Sequence, residues 1–172
     1  MSKCPNCGAV LKDNVCEYCG DECQKTVGGF IRNRVSVVAY SGNDIILTVD
    51  KNGIVMLPGS SEIKTTLEQS AIYYLKKRVN MHGYNAVKIF EYDGQGFQTR
   101  QGIAMNHHHV FYVQTDEKET PQISSGWITK IIRWNPLTSV PAVCTHETRE
   151  ILSKIQKEYI DKSTGKFVLS NH

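Results

Sequence analysis

The chain has 172 residues, of which 40% are apolar, and its 20 Lys and Arg outweigh 17 Asp and Glu to leave a net charge of +3. That length suits one domain, or one domain with a small appendage, and the apolar share is ample for a core, so a folded soluble protein is expected rather than a disordered chain. No charged-then-apolar leader and no apolar run of about eighteen residues is present, which predicts a cytoplasmic protein without a membrane-spanning segment.

The chain opens on Cys4-Pro5-Asn6-Cys7-Gly8, and after seven residues repeats the pattern as Cys16-Glu17-Tyr18-Cys19-Gly20. Each pair sets two sulfurs on a tight turn, and the glycine behind the second can adopt the positive φ that lets backbone N–H groups approach thiolates. With no secretion signal, closely paired thiols favour metal ligation over disulfides, so Cys4, Cys7, Cys16 and Cys19 are expected to hold one structural zinc ion tetrahedrally. Two disulfides or free thiols are the alternative. A piece this short buries too little apolar surface to fold unaided, and metal binding would stand in for a core. Cys23 and Cys144 are read as bystander thiols, because four ligands already saturate the ion. The segment resembles the short zinc ribbons at the ends of many bacterial and phage proteins, over roughly residues 2 to 22.

Charge bears on what such a ribbon would touch. Over residues 1 to 27, Lys3, Lys12 and Lys25 face Asp13, Glu17, Asp21 and Glu22, a net charge of −1. Four thiolates on one divalent ion add two more negative charges, so the ribbon should repel phosphate backbones, and protein contact or capping is the expected role.

Residues 24–29 read as a linker. Beyond it, Ile31 to Tyr40 and Asp44 to Val49 are β-branched runs separated by the hairpin signal Ser41-Gly42-Asn43. Lys51-Asn52-Gly53 marks a second turn, and Ile54 to Leu57 a short strand stopped by Pro58-Gly59. A helix follows, capped by Thr65 or Thr66, with Leu67, Ala71, Leu75 and Val79 recurring every four residues and Asn80 to Gly83 closing it. Ala86 to Tyr92 reads as a strand, Asp93-Gly94-Gln95-Gly96 as a turn, and His107 to Thr115 and Trp127 to Trp134 as two further strands, the last halted by Asn135-Pro136. A final helix is expected from about Thr145 to Tyr159, with Thr145 as its cap and Ile151, Leu152, Ile155 and Tyr159 as its buried stripe. Trp127, Trp134, Phe111 and Tyr112 sit in apolar strands and are read first as core or edge residues.

The order of these parts around Val55-Met56-Leu57-Pro58-Gly59 resembles a Nudix domain, over about residues 29 to 160. A zinc ribbon ahead of such a domain is also similar to the architecture of NADH pyrophosphatases. The resemblance implies an α+β fold, a Nudix-like mixed β-sheet sandwiched by helices, with a small N-terminal zinc ribbon. The expected division is 1–23 zinc ribbon, 24–29 linker, 30–163 Nudix-like α/β/α domain and 164–172 C-terminal tail.

The family's signature is a glycine, five residues, a glutamate, seven residues, Arg-Glu, an apolar residue, one residue, Glu-Glu, one residue and a glycine. Counted from Gly59, this chain keeps Gly59 and the apolar Leu75 but carries Thr65, Tyr73-Tyr74, Lys77-Arg78 and Asn80 at the other positions. Positions 74, 77 and 78 share a helix face, where the family gathers carboxylates to hold magnesium against a pyrophosphate. Replacing three carboxylates by Tyr, Lys and Arg turns three negative charges into two positive ones, which repels a divalent ion and removes the activation of water that the ordinary reaction needs. The expectation is a catalytically inactive, non-hydrolytic module that binds a protein partner or a nucleotide-type ligand, with Lys77 and Arg78 as anion-binding groups. The alternative for Lys76-Lys77-Arg78 is a solvated basic face that complements the helix dipole.

Two other function classes stay open. Asn106-His107-His108-His109 sets His107 and His109 on one face of a strand, where they offer two ligands for a second metal, with His82 or His146 as a third. Glu62, Glu68 and Glu91 are the acidic groups nearest the altered motif. Either set would suit a nucleotide pyrophosphohydrolase with relocated metal ligands. Outside residues 1 to 27 the body keeps 17 Lys and Arg against 13 Asp and Glu, a net +4, which suits a nucleic-acid-associated protein bound through the body and not the ribbon.

Overall fold

The computed structural model describes residues 30–169, so the four knuckle cysteines, the linker at 24–29 and the last residues of the expected tail lie outside the described residues. The chain divides into two compact units. Among the described residues the smaller unit holds residues 30–33 with Asp93–His108, and the larger, the body, holds Arg34–Tyr92 with residues 109–169.

Eight strands and two helices follow in the order β1 (Phe30–Val38), β2 (Tyr40–Ser41), β3 (Asp44–Asp50), β4 (Val55–Met56), β5 (Gly59–Ser60), α1 (Leu67–Val79), β6 (Gly83–Thr99), β7 (Gly102–Thr115), β8 (Ile128–Trp134) and α2 (His146–Glu158). One sheet runs β5-β1-β7-β6, and in the other β3 pairs with β2, β4 and β8. The long apolar run starting at β1 therefore serves both sheets, with the break at Ala39.

The body strands alternate between two cores. Val35, Val37, Ala39, Ile46, Phe111 and Val113 pack with Ala71, Tyr74, Leu75 and Val79 of α1. Their neighbours Val38, Tyr40, Ile45, Leu47, Val49 and Val110 pack with Ile151, Leu152 and Ile155 of α2. Period-two alternation thus sends both faces of the strands into apolar cover, which is why their buried stretches are mostly apolar instead of half polar. This is the expected α+β arrangement of sheet between helices.

Both helices start as their sequences dictate. The Thr66 hydroxyl accepts from the Gln69 N–H, and the Thr145 hydroxyl accepts from the Thr148 N–H. Asn80, at φ 57°, ends α1 in the left-handed conformation, and its N–H donates to the Lys76 carbonyl.

Three features differ from the sequence reading. Asp93-Gly94-Gln95-Gly96 is not a turn but the middle of β6, and the chain reverses at Arg100-Gln101 instead, where Gly102 sits at φ 120° and the Thr99 hydroxyl donates to the Gly102 carbonyl. A Cβ on Gly96 would lie 3.0 Å from Ile103 Cγ2, a tight fit against a side chain that is itself exposed. Residues 164–169, assigned to the tail from sequence, fold onto the body: Phe167 stacks on Tyr112 with ring centroids 4.0 Å apart, and the Val168 N–H donates to the Tyr159 carbonyl at 2.7 Å. Trp127 lies just outside β8 and is 66% exposed, whereas Trp134 is buried. No helix among the described residues is long and apolar enough to cross a membrane.

Candidate functional site

The site is built where β5 enters the sheet and α1 leaves it. Gly59 pairs with Ser36 of β1, and a Cβ on Gly59 would meet the Val35 carbonyl oxygen at 1.9 Å. Only glycine lets these two backbones approach so closely. The Gly59 carbonyl is taken by Arg78, whose Nε donates to it at 3.2 Å. The same guanidinium donates through Nη1 to the Ser125 hydroxyl at 2.8 Å and lies over the Tyr74 ring, 5.5 Å from its centroid. A half-buried, permanently charged group is therefore fixed from three sides, between a strand, a helix and a loop.

That loop closes the C-terminus of α1. The Gln122 N–H donates to the Val79 carbonyl, the Ser124 N–H to the Arg78 carbonyl, and the Ser124 hydroxyl to the Lys77 carbonyl at 2.6 Å. Helix-end carbonyls that water would otherwise satisfy are held by residues 122–124, so the loop and the basic end of the helix form one piece. His82 is held beside them: its Nδ1 lies 2.7 Å from Glu119 Oε1, and its Nε2 lies 3.2 Å from Lys76 Nζ.

Tyr74 is the buried member of the face. Its ring is 1% exposed, and its hydroxyl has no hydrogen-bond partner. Lys77 is exposed one turn on, with its ammonium 5.7 Å from the centroid of the Tyr73 ring, and Lys64 reaches the same ring at 5.6 Å. Glu62 faces this group from the loop before α1. Its carboxyl is held below the usual range chiefly by the hydrogen bond from Lys64, then by that ammonium's charge, with a smaller pull from Lys77. The Tyr74 hydroxyl contributes least, lying near Glu62 without completing a hydrogen bond. Three cations and one carboxylate thus surround two phenols.

Of the other sequence candidates, Glu68 sits exposed in the first turn of α1, and Glu62 and Glu68 join no cluster of three metal-ligating side chains among the described residues. His107 belongs to the smaller unit, where Nδ1 pairs with the Asp93 carboxylate. His109 belongs to the body, buried, with Nδ1 3.2 Å from Glu91 Oε1. His82 is engaged with Glu119, and His146 is the first residue of α2.

Solved structures with the same architecture are numerous. The chain is similar to a MutT NUDIX hydrolase from Burkholderia pseudomallei, with 15% identity, coverage of 73% of this chain and 98% of that one, and a TM-score of 0.59. The fold is Nudix-like. It is also similar to the MutT protein of Methanosarcina mazei Go1, at 10% identity over 77% of this chain and 98% of that one with a TM-score of 0.58. The NUDIX domain of Shewanella oneidensis NrtR, solved with ADP ribose, aligns at 12% identity over 77% and 89% with a TM-score of 0.56. No protein-family model and no curated protein sequence matches the chain. At such identities the likeness carries the fold alone.

The sequence missed Ser124, Ser125 and Trp127 as neighbours of the basic helix end. Arg78 and Ser125 are 47 positions apart, and no local pattern links them. The one available signal was Ser124-Ser125-Gly126, a polar loop directly ahead of an apolar strand.

Proposed function

We propose that this chain is a non-catalytic Nudix-like module that binds an anionic, nucleotide-type ligand at the C-terminal end of α1, with Lys77 and Arg78 receiving the phosphates. The observation that carries this reading is the anchoring of Arg78 on the Gly59 carbonyl and the Ser125 hydroxyl. A guanidinium held there supplies a fixed positive charge on the face where the Nudix signature puts carboxylates, and it does for an anion what a bound magnesium ion would otherwise do. The orphan Tyr74 hydroxyl adds a buried donor on the same face. The ADP ribose held by the Shewanella oneidensis NUDIX domain supports a nucleotide-type ligand for this fold. Within this reading Cys4, Cys7, Cys16 and Cys19 form a zinc ribbon that serves as an adaptor ahead of the body, and elemental analysis should give one zinc per chain.

Calorimetry with ADP ribose tests the proposal. Binding should persist in excess chelator, and Lys77→Glu, at an exposed position, should weaken it by about tenfold or more, the value of one charge-assisted contact. Hydrolysis of ADP ribose or nucleoside triphosphates that depends on magnesium or manganese would sink it, as would a manganese ion found by anomalous scattering beside Lys77 and Arg78.

A further inference from the structure

Trp127 is the most exposed large aromatic side chain among the described residues, at 66%. An indole left in water forfeits the burial that most tryptophans obtain, and rigid exposed aromatics are the groups proteins use to grip flat partners. Its position is what makes it informative. Its backbone N–H lies 3.5 Å from the Ser125 hydroxyl that also accepts from Arg78 at 2.8 Å. Ser124 and Ser125 hold this stretch of chain to Lys77 and Arg78, so the indole is carried by the same loop that closes the basic helix end. Lys51, from the turn between β3 and β4, brings its ammonium 5.6 Å from the ring centroid. A cation there enriches the aromatic surface and adds positive charge at its rim.

A nucleotide joins a flat aromatic base to anionic phosphates. An exposed indole, and a fixed guanidinium held by the serine two residues before it in the chain, offer a partner for each half. We propose that Trp127 is the stacking platform for the base of the bound nucleotide, with Lys51 flanking it, while Lys77 and Arg78 hold the phosphates. This rests on the anion site proposed above. It adds that the ligand is recognised at its base as well as its phosphates, so that a base-free phosphate would be a poor substitute.

The test uses the full chain and three probes: ADP, ribose 5-phosphate and inorganic pyrophosphate, with binding followed by calorimetry and tryptophan fluorescence. Trp134 is buried, with its Nε1 donating to the Ser139 carbonyl, so quenching by a bound base reports on Trp127. ADP should quench the emission and pyrophosphate should not. Trp127→Ala should weaken ADP by about tenfold or more, the worth of one stacked base, and leave pyrophosphate within about twofold. Lys77→Glu should weaken both. Equal weakening of ADP and pyrophosphate by Trp127→Ala, or no change in either, would overturn the platform and leave the anion site standing. If Lys77→Glu changed neither probe, the anion site would fall, and failure of wild-type chain to bind any probe at millimolar concentration would overturn both. Trp127→Phe separates stacking from folding, since it should recover most of the ADP affinity.

Discussion

The two faces of the body's strands treat their buried phenols differently. On the α2 face the Tyr40 hydroxyl donates to the Gly165 carbonyl and the Tyr159 hydroxyl to the Ile89 carbonyl, both at 2.8 Å, while Tyr112 stacks on Phe167. On the α1 face Tyr74 is just as deep, yet its hydroxyl goes unmatched. Folding alone explains the first arrangement, because the Tyr40 and Tyr159 hydroxyls taken from water each find a carbonyl. It does not explain the second, in which a phenylalanine would fill the same space at lower cost. Such departures are expected at functional or strained sites, and the proposed anion site lies on this face. The α1 face also carries the anchored guanidinium and the glycine that tolerates no side chain.

The largest effect expected is at that glycine. Gly59→Ala would drive a methyl group into the Val35 carbonyl, 1.9 Å away, and backbone cannot swing aside as a side chain can. A loss of about 3 kcal/mol, the upper end of overpacking costs, should appear as a large fall in the denaturation midpoint. A small change would mean that β5 is loosely held and that Arg78 is not anchored on a rigid carbonyl.

Next in size is an alkaline loss of stability from the other face. Burial raises the Tyr40 phenol above its ordinary value, helped by Tyr112 and Glu117, and burial raises Tyr112 as well. A raised folded-state pKa means that the unfolded chain releases its proton first. The stability contributed is whole below about pH 10, the ordinary tyrosine value, and is lost as pH climbs through the folded value. Unfolding curves at pH 8 and pH 11 should therefore diverge more for the wild type than for Tyr40→Phe. Equal divergence would show that lysines, not the α2-face phenols, govern the alkaline limb.

How far all this could be read from the residues depends on the range of the interaction. Thr66 and Thr145 cap their helices within three residues, and Leu67, Ala71, Leu75 and Val79 state their face in one glance, so both helices were legible. The strands were legible as apolar runs, but their ends were not. Gly94 and Gly96 signal a turn by local preference, yet β6 runs through both alongside β7. Phe167 looked like part of a tail because its partners Tyr112 and Tyr159 are remote in sequence. At the candidate site, Lys77 and Arg78 could be named from the altered signature. The Arg78 contacts to Gly59 and Ser125 could not, since they join three separate elements.

The smallest effect is the most discriminating. Tyr159→Phe should cost about 1 kcal/mol, because it abandons the Ile89 carbonyl in a half-buried setting. Tyr74→Phe removes a hydroxyl that lies near the Glu62 carboxylate without completing a hydrogen bond, so stability should hold or rise by up to about 1 kcal/mol. The opposite signs matter more than either magnitude, since errors common to both denaturation curves cancel in the comparison. On the proposed reading the hydroxyl serves the ligand, so the Tyr74→Phe chain should also bind ADP ribose more weakly. If it lost as much stability as Tyr159→Phe, Tyr74 would be an ordinary core tyrosine bonded to Glu62, and the asymmetry between the two faces would vanish.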